Sequence, residues 1–132
     1  MKSEAQIMEY IHNWLSGLNI GPVTLDSKSL DDTTKARKLR TYIEFSFPDG
    51  IDDQGPWFRG NCVVNIVCRD KDVLIADIPT LSKACNKFLD EFDHKDADAG
   101  IDCIDVEYVD FFSDGVGNHM FQYVFDVFAR KG

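Results

Sequence analysis

The residues that come closest to a chemical constellation are the acids between positions 93 and 110. This stretch holds seven carboxylates: Asp93, Asp96, Asp98, Asp102, Asp105, Glu107 and Asp110. Carboxylates at this density are typical of a Ca²⁺ loop, and an EF-hand that begins at Asp96 would use Asp98 as its third position and Glu107 as its twelfth. Gly100, however, occupies the fifth position, which needs an oxygen ligand. We therefore interpret the stretch as a solvated acidic loop and strand face, and we predict no metal site.

The other residue types that catalysis or cofactor binding requires are scattered. The three histidines, His12, His94 and His119, form no metal-ligand spacing, and exposed or turn positions are predicted for them. The four cysteines, Cys62, Cys68, Cys85 and Cys103, contain no C-x-x-C pair, and each lies in an apolar stretch, which predicts buried thiols. The sequence has no P-loop and no nucleophile-elbow motif. We therefore predict no enzyme activity and no cofactor.

The charges are distributed unevenly along a chain whose formal net charge is −9. This excess of acid disfavours affinity for a nucleic-acid backbone, because phosphate binding needs clustered cations. Four cations nevertheless lie close together after a segment rich in turn-forming residues: Lys35, Arg37, Lys38 and Arg40. They form either a solvated loop or a contact to an acidic neighbour. In the second case the acids of another copy, Asp96, Asp98 and Asp102, are the natural complement.

Two helices are predicted to position these groups. The first begins after Ser3, which forms a capping box with Gln6, and it ends at Gly21-Pro22. Between these limits an apolar stripe has helical period: Ile7, Met8, Ile11, Trp14, Leu15 and Leu18. The second helix begins after Asp77, whose side chain can cap it. Just before that helix, residues 73–75 are predicted to form a short turn that docks on the core.

Four strands are predicted from the alternation of apolar and polar residues. The first covers residues 41–47 and is expected to be half-buried, and the second covers residues 57–69. The segment 48–56 between them holds two glycines, two prolines and three aspartates, and therefore forms a loop. The third and fourth strands, 101–112 and 119–129, flank a turn-rich segment. The last strand is apolar on both faces, with Phe121, Tyr123, Phe125 and Val127 on one and Met120, Val124 and Phe128 on the other.

These elements predict a single α+β domain over residues 1–132. Its order is α-β-β-α-β-β, and the simplest packing is a four-stranded, mostly antiparallel sheet with both helices on one face. Since the last strand is apolar on both faces, the second face is expected to meet another subunit. No apolar run approaches the ~18 residues of a membrane span. The first residues also lack the basic-then-apolar order of a secretory signal, so we predict a cytoplasmic origin and no membrane partner.

The whole pattern resembles the phage tail terminator and tail completion family, small proteins that close the end of a phage tail tube. The resemblance covers nearly all of the chain and rests on the architecture and order of elements. Its parts are the helix at 4–19, the long hairpin with its Gly/Pro-rich loop at 41–69, the second helix introduced by Asp70-Lys71-Asp72 and Asp77-Ile78-Pro79, and the hairpin at 101–129. The size and acidity of the chain also fit.

The resemblance implies a ring, usually of six copies, that stacks on the last ring of tail tube protein and presents its other face to the head–tail connector in the neck. The protein would then be made in the host cytoplasm and reside in the virion, with DNA only passing through the lumen. The family implies no catalytic or cofactor residues. For the contact to the tube or neck we predict the loop between Pro48 and Pro56 and its neighbour, namely Asp49, Ile51, Asp52, Asp53 and Trp57.

Two alternatives stay open. One is a monomeric α+β adaptor or ligand-binding domain without catalytic activity, which would show a polar outer sheet face and remain monomeric in solution. The other is a metal-dependent enzyme that uses the acidic stretch, which would bind divalent ions tightly. The apolar residues on both faces of the last strand favour the ring-forming protein over the monomeric adaptor.

Overall fold

The computed structural model describes residues 2–25 and 40–132, and in them the fold is mostly β. Seven strands form one mixed, curled sheet that resembles half of a barrel and carries two helices. The helices are α1 (Glu4–Ser16) and α2 (Ile78–Leu89). The strands are β1 (Val23–Leu25), β2 (Thr41–Ser46), β3 (Ile51–Gln54), β4 (Trp57–Arg69), β5 (His94–Asp96), β6 (Ile101–Ser113) and β7 (Asn118–Arg130).

The predicted fold class, a tail-terminator-like α+β domain with a four-stranded sheet, is therefore wrong. The four predicted strands exist as β2, β4, β6 and β7, but three further strands join the same sheet. β1, β3 and β5 are only three or four residues long, and β3 and β5 read Ile-Asp-Asp-Gln and His-Lys-Asp. Segments this short and polar show no alternation, so only their pairing with longer neighbours reveals them as strands.

The sheet has the order β1-β2-β4-β7-β6-β5, and β3 also pairs with β4. β1 runs parallel to β2, and every other pairing is antiparallel. β2 and β3 follow one another along the same edge of β4, so the predicted loop at 48–56 is instead a short interruption, a strand and a tight turn at Gly55-Pro56. Gly55 has φ +75°, a backbone conformation that glycine adopts without strain.

Both helices pack on one face of the sheet, as predicted. α1 buries Ile7, Ile11 and Leu15, and α2 buries Leu81, Ala84, Cys85 and Phe88. They contact the apolar residues that alternate along the central strands, among them Val64 and Ile66 of β4 and Tyr123, Phe125 and Val127 of β7. β4 and β7 pair over their full length, from Trp57 with Arg130 to Arg69 with Asn118. This long pair of strands forms the middle of the sheet, and the surfaces described below lie at its ends and on its faces.

The predicted helix caps are confirmed, but the predicted end of the first helix is wrong. Ser3 and Gln6 form the capping box of α1, and the Asp77 side chain accepts a hydrogen bond from the Thr80 N–H at the start of α2. α1 ends at Ser16, because Gly17 closes the last turn with its N–H directed to the preceding carbonyls. Neither helix in the described part of the chain is long and apolar enough to cross a membrane.

The sheet face away from the helices, called the open face below, mixes apolar and polar side chains. On β7 it carries Met120, Val124 and Phe128, so the predicted division of these residues between two faces is confirmed, but Gln122 and Asp126 share the same face, which is therefore not wholly apolar. β2 is buried on both sides, since Tyr42 and Glu44 on the open face are each 5% exposed. The expectation of a half-buried first strand is therefore wrong.

Candidate interaction surfaces

Most of the predicted cationic contact falls outside the described residues. Lys35, Arg37 and Lys38 lie in the segment 26–39, and only Arg40 can be placed. Its guanidinium forms an ion pair with Asp77, the N-cap of α2, and 54% of its side chain stays exposed. Arg40 therefore ties the start of β2 to α2 and keeps about half of its side chain available to a partner.

The structure does not bring the three predicted acids to one surface. Asp96 accepts hydrogen bonds from the Ala99 N–H at 3.0 Å and from the Tyr10 hydroxyl at 2.7 Å. These two bonds, the first more than the second, lower the pKa of Asp96. Asp98 is exposed, whereas Asp102 lies on the open face beside Phe128. Asp96 is thus engaged in an internal contact, and a shared interface role is left to the other two.

The Asp96 contact belongs to a polar chain that joins α1 to β5. The Tyr10 hydroxyl lies 2.7 Å from Nε2 of His94, and the His94 ring stacks on Trp14 with the ring centroids 4.5 Å apart. Burial, followed by the hydrogen bond to Asp96, raises the pKa of Tyr10. The exposed or turn position predicted for His94 is wrong, because the residue lies in a strand and is half-buried against two aromatic rings.

The predicted tube- or neck-contact residues form a hairpin at one end of the molecule. Asp49, Asp52 and Asp53 are exposed there, whereas Ile51 packs against the core. Asp53 forms an ion pair with Lys131, whose hydrogen bond to it is the main cause of the lowered pKa of Asp53. Trp57 lies beneath the guanidinium of Arg130. The hairpin thus projects acids from an end that is held to the last residues of the chain.

An exposed apolar surface, which the sequence analysis missed, lies at the other end of β4. A tight turn from Asp72 to Ile75, closed by the Ile75 N–H to the Asp72 carbonyl at 3.0 Å, carries Val73 and Leu74 at its tip. These two side chains are 80% and 71% exposed. The predicted docking of residues 73–75 on the core is therefore wrong. The only sequence signal was a short apolar run between charged residues, too short to show any period.

Five exposed apolar side chains make up this surface, which we call the apolar tip: Val73, Leu74, Ile75, Ile78 and Val116. Val116 comes from the β6–β7 turn, and with Val73 and Leu74 it lines an open pocket of about 600 Å³. Leu74 has φ +59°, in the left-handed region that costs a residue with a Cβ about 1–2 kcal/mol. A turn tip normally holds Gly, Asn or Asp at such a position. An exposed leucine there adds backbone strain without any compensating burial.

A largely buried contact between His119 and Asp70 holds the two segments of the apolar tip together. Nδ1 of His119 lies 2.6 Å from Oδ1 of Asp70, and the Asp70 side chain is only 4% exposed. The Asp70 N–H donates to the Gly117 carbonyl at 2.8 Å, which links the end of β4 to the β6–β7 turn. The Phe111 ring stacks on the imidazole of His119. The pair therefore positions the base of the tip.

The same pair resembles the aspartate and histidine of a hydrolytic triad, which also needs a nucleophile bonded to the histidine. Ser113 lies opposite His119 in the sheet, but its hydroxyl accepts a hydrogen bond from the Gly115 N–H. Among residues 2–25 and 40–132, no hydroxyl or thiol is hydrogen-bonded to His119. The contacts of the pair are therefore those of a structural anchor.

The remaining reactive side chains are buried or dispersed. All four cysteines are free and buried, as predicted, and burial raises the pKa of the Cys62, Cys68 and Cys85 thiols. A raised thiol pKa keeps the nucleophilic thiolate scarce. Within the described ranges, no three His, Cys, Asp or Glu side chains come together as a metal site requires.

Comparisons with known proteins add no relative. A scan against protein-family models finds no family that matches this chain, and a search of curated proteins finds no similar sequence. The resemblance to tail terminator and tail completion proteins, which rests on the order of elements, therefore stays a prediction.

Proposed function

We propose that this protein is a structural phage assembly protein whose copies form a ring that caps the tail tube and joins it to the head–tail connector. The observation that carries the proposal is the apolar tip. Its side chains are exposed, and the turn that carries two of them holds Leu74 in a strained backbone conformation. An apolar surface of this kind is typical of a protein–protein contact.

The energetics of the tip favour a contact with another protein. Burying a valine, leucine or isoleucine side chain fully contributes about 1.5–3 kcal/mol. In the isolated chain Val73 and Leu74 gain little of this, since most of their surface faces water. A partner that covers the tip would recover that free energy and offset the strain at Leu74. The function supported best is therefore assembly.

The placement of surfaces at two opposite ends supports an axial, stacked role. The hairpin that carries Asp49, Asp52 and Asp53 lies at the Trp57 end of β4, and the apolar tip lies just beyond its Arg69 end. The 13 residues of β4 span about 40 Å at the usual strand rise. A subunit with one contact surface at each end suits a ring placed between a tail tube and a neck connector. The net charge of −9 suits a lumen through which DNA passes without sticking.

The test uses the purified chain and tail tubes assembled from the tube protein of the same phage. We expect the protein to sediment with the tubes. We also expect six copies to assemble, either free at high concentration, where light scattering would give a mass near six times 15.0 kDa, or on the tubes. The double variant Val73→Asp with Val116→Asp should lose at least about tenfold in affinity for the tube or the connector, because it places charges in an apolar contact.

Leu25→Asp is the matched control, since Leu25 is an exposed apolar residue outside the apolar tip. It should bind as the wild type does. A chain that stays monomeric at every concentration and does not sediment with tubes would instead favour the monomeric adaptor. Binding that is unaffected by the double variant would show that the apolar tip is not the contact.

A further inference from the structure

Four side chains on the open face form a compact patch of stacked cations and aromatic rings. The register pairs Trp57 with Arg130 and Arg59 with Phe128 across β4 and β7. The guanidinium carbon of Arg130 lies 5.5 Å from the Trp57 ring centroid, and that of Arg59 lies 5.1 Å from the Phe128 ring centroid. The cations and rings therefore alternate in a two-by-two arrangement, which we call the arginine–aromatic patch.

The guanidinium N–H groups of the two arginines in the patch are available to a partner. Both side chains are exposed, and none of the ion pairs formed by the described residues involves either of them. The cross-strand row runs from Asp52 through Arg59 and Phe128 to Asp102, yet neither carboxylate comes within ion-pair distance of Arg59. A guanidinium stacked on a ring is held in one plane with its N–H groups directed outward, which suits bidentate binding of a carboxylate. Beside the patch, Trp57 and Phe128 line an open pocket of about 300 Å³.

A matching set of acids, none of which forms an ion pair with a described residue, lies elsewhere on the same chain. β5 pairs only with Ile101–Cys103, so the rest of β6 is a free edge within the described residues. This edge carries the exposed side chains of Asp105, Glu107 and Asp110, which we call the acidic edge. None of the ion pairs seen in residues 2–25 and 40–132 involves these acids either. Tyr108, which follows Glu107 in the same strand, points to the other face, where its exposed ring lies against Phe121 and Tyr123.

No ion pair joins the two surfaces within the described part of one molecule. Glu107 pairs with Val124, whereas Arg59 lies opposite Phe128, four residues further along β7, and Arg130 is six residues further, or about 13 and 20 Å at the usual strand rise. Contacts between two different surfaces of identical chains are heterologous, and they generate rings when the rotation closes. Complementary charges also set the register of such contacts.

We propose that the arginine–aromatic patch of one subunit binds the acidic edge of the next, with Arg59 and Arg130 receiving the carboxylates of Asp105, Glu107 and Asp110. This inference rests on the proposed ring and names its lateral contact in residues other than the cationic segment 35–40. The partner is a second copy of this chain. A nucleic-acid strand is the less suitable occupant, because a chain with a net charge of −9 repels phosphates over most of its surface.

The test is a charge exchange read by sedimentation velocity and light scattering of the full chain in low-salt buffer. Arg59→Glu with Arg130→Glu should weaken self-association at least about tenfold, and Glu107→Arg with Asp110→Arg should do the same, because each places like charges in the contact. An equimolar mixture of the two variants should recover the wild-type mass. In the mixture, the reversed patch of the first variant can bind the reversed edge of the second. The native patch of the second variant can bind the native edge of the first. Recovery also shows that both variants are folded.

Lys83→Glu is the matched control, since it reverses an exposed cation on α2 and should leave the mass unchanged. The proposal is overturned if the wild type never self-associates, if the patch variant associates as the wild type does, or if mixing restores nothing. It is also overturned if a DNA oligonucleotide binds through Arg59 and Arg130 while the mass is unaffected. Retained sedimentation with tail tubes in any of these cases would leave the proposed function standing without this contact.

Discussion

At the residue scale, Leu74 combines exposure with backbone strain, and the two effects can be separated by substitution. Asparagine tolerates the left-handed region better than leucine does. Leu74→Asn should therefore raise the free energy of unfolding of the monomer by about 0.5–1 kcal/mol, since the cost of a β-carbon at φ +59° is partly relieved. Urea denaturation at low protein concentration measures this change. The same variant should weaken assembly, because it removes an apolar side chain from the apolar tip.

The neighbouring Val73→Asn is the control for this substitution. Val73 is as exposed as Leu74 but has no positive φ, so its replacement should leave the unfolding free energy within about 0.5 kcal/mol of wild type while weakening assembly. A loss of stability in Leu74→Asn would mean that the leucine is packed, and that the apolar tip is part of the fold and not a contact surface.

At the element scale, the start of α2 should make stability depend on pH. The Thr80 hydroxyl, which donates to Asp77 at 2.8 Å, is the main cause of the lowered Asp77 pKa, and the Thr80 N–H and Arg40 add to it. A carboxyl whose pKa is lower in the folded state stabilises the fold above its unfolded pKa of about 3.9, and this contribution is lost as the pH falls through the folded pKa. The free energy of unfolding should therefore decrease below about pH 4.

Two substitutions of Asp77 separate its charge from its capping role. Asn caps helices about as well as Asp, so Asp77→Asn should flatten the pH dependence below pH 4 with little loss of the cap. Asp77→Ala removes both and should destabilise the protein by about 1 kcal/mol at neutral pH. Urea unfolding followed by circular dichroism at several pH values distinguishes the two. Equal pH profiles for wild type and Asp77→Asn would assign the acid sensitivity to other carboxyls.

At the scale of the whole molecule, the two faces of the sheet should differ in what they contribute to stability. Phe125 is 1% exposed and contacts the rings of Trp14, Phe88 and Phe92 beneath the helices. Phe125→Ala should destabilise the monomer by about 3–5 kcal/mol, as in other buried cores. Phe128 is half-buried on the open face, and Phe128→Ala should cost only about 1–2 kcal/mol.

Chemical denaturation of dilute, monomeric protein checks this difference. Val124→Ala, also on the open face, should likewise lower the free energy of unfolding only slightly. Comparable costs for Phe125→Ala and Phe128→Ala would show that the open face is covered as fully as the helical face. The open face would then have no room for the lateral contact through the arginine–aromatic patch.

Long elements with a strong period were determined by the sequence alone. The capping box at Ser3, the cap at Asp77 and the four long strands could be located because local side-chain chemistry and alternation specify them. The burial of all four cysteines followed from their apolar surroundings. These features depend on residues close together along the chain, which is why they needed no knowledge of the fold.

Only the tertiary structure decided the sheet, the exposure of Val73 and Leu74, and the pairing of arginines with rings. β3 and β5 are strands because β4 and β6 offer them free edges, not because their own residues favour extended structure. The apolar tip is exposed because a turn directs it away from a core that is already filled by α1 and α2. Arg130 meets Trp57, although the two are far apart in sequence, because β4 and β7 pair in one register along their full length. Contacts between distant segments are set by packing, which no local pattern contains.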